Sequence, residues 1–147
     1  MDQISRHAPH AARVLLGLIF FVFGLNGFLQ FLPSPPQPES AVAFVGGLAA
    51  AGYIFPLVKG IEVVAGALLL ANRFVPLALT VLAPIVVNIV AFHVLLAPAG
   101  APLALLVLTL QLWLAWSYRG AFTTVVRARH KPRGVRDAEH ELSAART

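Results

Sequence analysis

Hydrophobic positions gather into four long runs, roughly 11–32, 54–71, 74–96 and 103–118. The breaks between them differ in kind. "PSPPQPES" (33–40) is too rich in proline to be helical, "NR" (72–73) is a tight polar turn, and "APAGAP" (97–102) is a Pro/Gly turn. Each run approaches the ~20 apolar residues that cross a bilayer as a helix. The fourth is slightly short and is extended toward Phe122. The pattern predicts an all-α protein, a four-transmembrane-helix bundle. The remaining apolar segment, "AVAFVGGLAAAGY" (41–53), is too short to span and is read as a short interfacial or re-entrant helix between helices 1 and 2. It ends at Gly52, with Pro56 opening the next helix. Two roles stay open for it: a plug over the bundle's outer mouth, or a gate and docking surface for something lipophilic.

Composition strengthens the membrane reading. The 147 residues are 59% hydrophobic and 12% charged, whereas a soluble domain is about a quarter charged. Between Arg73 and Arg119 lie 45 residues without an Asp, Glu, Lys or Arg. The first run is longer than a signal-peptide core, and no A-x-A site follows it. It is therefore expected to remain as a span.

Charge supplies the orientation. Arg6 and Arg13 flank the first run, Arg73 occupies the 72–73 turn, and seven Lys or Arg follow from Arg119 onward. The 33–53 and 97–102 connections carry none. The positive-inside bias places both termini and the 72–73 turn in the cytoplasm of a multi-pass chain. The expected organisation is a cytoplasmic segment (1–10), a four-helix membrane domain (11–120) and a basic, partly disordered tail (121–147). The net charge of +5 is explained by orientation, so nucleic acid is not an expected partner. Trp113, Trp116 and Tyr118 belong to an aromatic belt, and the basic tail favours anionic lipid heads.

Against this apolar background the polar residues are few: Asn26, Lys59, Glu62, Asn88, His93 and Gln111, with Thr80 and Thr109 as minor members. At ~1.5 Å of rise per residue, Asn26 lies ~9 Å from the outer end of its helix, and Glu62, Asn88 and Gln111 ~12 Å. Lys59 lies ~8 Å in and His93 ~5 Å in. All four helices are thus expected to feed one polar layer in the outer half. Lys59 and Glu62, three apart, share a face, so pairing lowers the cost of burying both. Gly66, one turn beyond Glu62, admits a close helix neighbour. Asn88 and His93 are about 140° apart on an ideal helix and do not share a face. Pro84 removes a backbone donor, so a kink is expected there. The layer is either structural glue or a functional site, the usual meaning of ionisable groups inside spans.

Several chemistries are excluded. Without cysteine there are no disulfides, thiolates, iron–sulfur clusters or c-type haem attachments. One His and one Glu make a poor metal site, and a bis-histidine haem lacks its second ligand. No phosphate loop, serine elbow or zinc motif is present, so no catalytic residue is assigned and an accessory role is favoured over an enzyme.

"RVLLGLIFFVFGLNGFLQFLP", "LVKGIEVVAGALLLANRFVPLAL" and "LAPIVVNIVAFHVLLAPAG" together resemble the DoxX family of small bacterial membrane proteins. The resemblance covers roughly 11–118 and rests on Glu62 followed by Gly66 and "LLL", then Asn88 and His93. It implies a four-helix protein of the cytoplasmic membrane, associated with quinone-linked sulfur oxidation and redox or stress complexes. Relatives often carry a lysine where this chain has Gly27, and Lys59 is a candidate to supply that charge. The expected function is an auxiliary subunit that holds a quinone or supports a redox-enzyme partner. The alternatives are a small-solute or proton-coupled transporter working as a homo-oligomer, and a structural assembly factor without a ligand.

Overall fold

The computed structural model describes residues 2–33 and 36–122, with side chains from residue 8 onward. Beyond residues 121 and 122, the expected basic tail lies outside the described residues. The described chain is helical throughout, without strands: α1 (Asp2–Leu29), α2 (Glu39–Ala50), α3 (Ile54–Leu70), α4 (Val75–Leu95), a 3-10 turn (Pro98–Gly100), α5 (Ala101–Ser117) and α6 (Arg119–Phe122).

The first three helices stop for identifiable local reasons. At the end of α1, Gln30 takes a left-handed φ of 50°. The Leu32 amide, released from the helical ladder, donates to Asn26 Oδ1 at 2.7 Å. The helix thus ends at Leu29, short of the apolar run, and begins at Asp2, well before it. Hydrophobicity marks where a helix is apolar, not where its hydrogen bonds start. α2 gives way at Gly52 (φ 75°), a left-handed position that glycine adopts without steric cost. α3 ends in a Schellman-type cap: Asn72 is left-handed (φ 55°), Arg73 N–H donates to Leu68 O at 2.9 Å and Asn72 N–H to Leu69 O at 3.1 Å. Proline opens α4 and α5 within their first turns, and α4 continues through Pro84 as one helix.

Helix α1 packs against α3 and α5, and α4 against the same two, so the four long helices close a ring. Its centre is a file of leucines with almost no exposed surface: Leu16, Leu69, Leu79, Leu82 and Leu114. Equally apolar residues face outward, including Leu57, Val64, Leu77, Val87 and Leu112. Helices hydrophobic on every side suit a lipid surround. By length and composition α1, α4, and α5 together with the 3-10 turn before it (Pro98–Ser117) can each cross a bilayer. α3 has 17 residues and reaches that standard only together with α2, from which it is bent by 93°. α2 is exposed along most of its length and touches the rest mainly through α3 and a Phe44–Phe92 ring contact at 5.6 Å.

Candidate functional site

The charged pair sits on α3 where it packs against α1. Glu62 is 3% exposed, and its Oε2 accepts from Lys59 Nζ at 2.8 Å. Two glycines of α1 make room for it. A Cβ on Gly24 would stand 2.9 Å from the Val63 backbone nitrogen and 3.0 Å from Glu62 Cβ. A Cβ on Gly27 would stand 2.6 Å from Lys59 Cδ, so the lysine stem lies in the space that a side chain at 27 would fill. The ammonium also stands 5.9 Å from the centre of the Phe55 ring. Glu62 is thereby walled by backbone on one side and neutralised on the other, the condition under which a buried ion pair is tolerated.

Two cavities meet at this pair. One, of about 300 Å³, lies between α3 and α4 beneath α2, walled by Phe44, Val58, Ile85, Asn88 and Phe92 among others. The second, of about 200 Å³, lies among α1, α3, α4 and α5, between Phe20, Phe23, Leu103 and Val107. Lys59, Glu62, Ile89 and His93 line both. Nearly all the remaining wall is aliphatic or aromatic. An apolar chamber with a few converging polar groups is the usual form of a small-molecule site.

His93, in the last turn of α4, holds its ring by Nδ1 against the Ile89 carbonyl oxygen at 2.9 Å. A carbonyl only accepts, so Nδ1 carries the proton. The Phe92 ring meets the imidazole edge-on at 5.1 Å. Gly100, in the turn after α4, packs against one side of the ring near Cδ2 and Nε2, where a Cβ would overlap the imidazole.

Of the six polar positions predicted, Lys59, Glu62, Asn88 and His93 line the first cavity. Asn88 stands at its exposed rim. Asn26 and Gln111 line neither, and both are engaged elsewhere. Asn26 caps the end of α1, and Gln111 Nε2 donates to the Leu79 carbonyl at 2.6 Å inside the leucine core. The expected contribution of all four helices to one layer thus reduces, at the cavities, to polar groups from α3 and α4. Helices α1 and α5 supply apolar wall.

One buried charge was read from the sequence only as a topological flank. Arg13 is 7% exposed, and its Nη1 donates to the carbonyls of Leu69 and, at 3.1 Å, Leu70. It meets the negative end of the α3 dipole at the pole of the ring opposite the cavities. A signal was available: Arg13 precedes Gly17 by one turn, and a Cβ on Gly17 would lie 3.1 Å from Gly66 O of α3.

No group of three or more His, Asp or Glu stands close enough to hold a metal among the described residues. Scans against protein-family models, curated proteins and solved structures find no match to this chain.

Proposed function

We propose that this is a DoxX-like, multi-pass membrane protein of the bacterial inner membrane, an auxiliary subunit whose twin cavity holds a lipophilic redox molecule of the quinone class for a redox partner. The observation that carries the reading is a Lys–Glu pair shared by two apolar cavities. A purely structural pair needs no empty space beside it, whereas a ligand site does. All four long helices span, α3 with its bent partner α2 lying toward the outer face, and both termini are cytoplasmic. The distribution of Lys and Arg supports that orientation, which places the cavities in the outer half. Glu62 accepts a hydrogen bond or proton from the ligand, Lys59 balances its charge, and Asn88 and His93 contact the ligand from α4.

A transporter is disfavoured by the leucine core. Leu16, Leu69, Leu79, Leu82 and Leu114 pack the ring below the cavities, and the polar side chains buried there among the described residues, Gln111 and Arg13, already donate to backbone carbonyls.

The test compares wild type with Glu62→Gln in detergent. Wild type is expected to gain thermal stability on adding a short-chain benzoquinone or its quinol and to co-purify with a native quinone detectable by mass spectrometry. Glu62→Gln, similar in size, is expected to stay folded and lose most of that stabilisation. A wild type that carries no such ligand and ignores the added ones, with a variant that simply unfolds, makes the pair structural and sinks the proposal.

A further inference from the structure

The hydrogen-bonding inventory of the chamber says more about its ligand than its volume does. Lys59 and Glu62 satisfy each other through one proton and one oxygen. Among the described residues nothing donates to the second carboxylate oxygen, Glu62 Oε1. His93 is similar: with the Nδ1 proton committed to Ile89 O, the Nε2 of a neutral ring is left as an acceptor without a protein donor. Neither atom is among the buried polar atoms left unpaired and shut off from space, which are Arg13 Nε and Gln111 Oε1. Both therefore border open volume, and both residues line the two cavities. Around the shared pair the chamber offers two free acceptors and the remaining protons of Lys59, and at the exposed rim of the first cavity the Asn88 amide can both donate and accept.

We infer that the site selects a hydroxyl-bearing head group, a lipophilic diphenol, over the carbonyl-only form of the same molecule, with Glu62 Oε1 and His93 Nε2 as its two acceptors. This deepens the reading above and rests on it. A quinone carries carbonyl acceptors alone. It can accept from Lys59 and from the Asn88 amide, but on entering it displaces water and strands Glu62 Oε1 and His93 Nε2 beside apolar atoms. A diphenol donates to both and still accepts from Lys59, because each hydroxyl oxygen keeps its lone pairs. Leaving a desolvated acceptor unpaired costs affinity by about tenfold or more per atom, so the preference should be large. His93 is thereby a specificity-determining residue, and Ile89 O, by taking the Nδ1 proton, leaves Nε2 as its acceptor.

The deciding measurement is equilibrium binding to detergent-solubilised full-length protein at pH 8. Three probes share one short alkyl chain: the benzoquinone, its hydroquinone kept reduced under anaerobic conditions, and the hydroquinone dimethyl ether. The ether keeps the ring and the oxygens but donates nothing. The hydroquinone is expected to bind at least about tenfold more tightly than either of the others. In His93→Phe this margin is expected to shrink by about tenfold, with the quinone little changed. Equal affinities for the three, or tighter quinone binding, overturn the inference while leaving a quinone site in place. A margin unchanged in His93→Phe removes His93 as an acceptor and overturns it too. If none of the three binds, the ligand site itself is wrong and both readings fall. The wild-type comparison decides the donor question without any variant having to fold.

Discussion

Valine in place of Gly66 is expected to destabilise the protein more than any other single change considered for its helices, at or above the upper end of the ~1–3 kcal/mol typical of overpacking. The reason is what the new side chain would meet. A Cβ at 66 would stand 2.6 Å from the Phe21 backbone nitrogen and 2.9 Å from the Gly17 carbonyl oxygen. Backbone cannot rotate out of the way as a side chain can, so α1 and α3 would have to separate. Separation would also open the contact of Gly24 and Gly27 with the Lys59–Glu62 pair, so ligand affinity should fall with stability. Gly60 supplies the control within the same helix, since a Cβ there has no neighbour within 4 Å. Gly60→Val should stay within about 1 kcal/mol of wild type. Thermal melts of the purified variants are sufficient, and similar losses for both would refute the close-approach account.

Removing Arg13 is expected to cost about 2–3 kcal/mol, the range for hydrogen bonds from a charged donor reinforced by a helix end. The Leu69 and Leu70 carbonyls belong to the last turn of α3, where intrahelical donors run out. Arg13 also carries a liability, because its buried Nε has no partner among the described residues. A well-packed apolar residue can replace a buried charge at little cost, so the substitution must separate shape from pairing. Arg13→Met keeps much of the volume and Arg13→Lys keeps a charged donor. Lysine is expected to recover part of the loss seen with Arg13→Ala, and methionine little of it. Full recovery by methionine would mean that the arginine acts by filling space.

How much of this was legible beforehand depended on which physical signal each feature leaves in a sequence. Long apolar runs and Pro/Gly breaks located α3, α4 and α5 within a few residues, because turn chemistry is local. The short helix before Gly52 was legible for the same reason. The Lys59–Glu62 pairing followed from spacing on one helix, and the structure realises it at 2.8 Å. Relations between helices were harder to read. Depth counting put Asn26 and Gln111 level with Glu62 but could not show that each amide would find a backbone partner first. Facing direction decides that, and it depends on how neighbouring helices rotate. The roles of Gly24, Gly27 and Gly100 were likewise hidden, because the lack of a side chain gains meaning only from what lies opposite.

The position of the Lys59 stem over Gly27 has a consequence for how such a chain can vary. The two positions compete for one volume, so bulk on one helix excludes bulk on the other. A lysine at 27 would be compatible with this packing only if the long side chain at position 59 gave up the space it fills. The cation next to Glu62 is therefore a movable part: either helix can supply it, but not both at once. Among proteins built on this helix pair, large residues at these two positions should avoid occurring together, although each alone is tolerated.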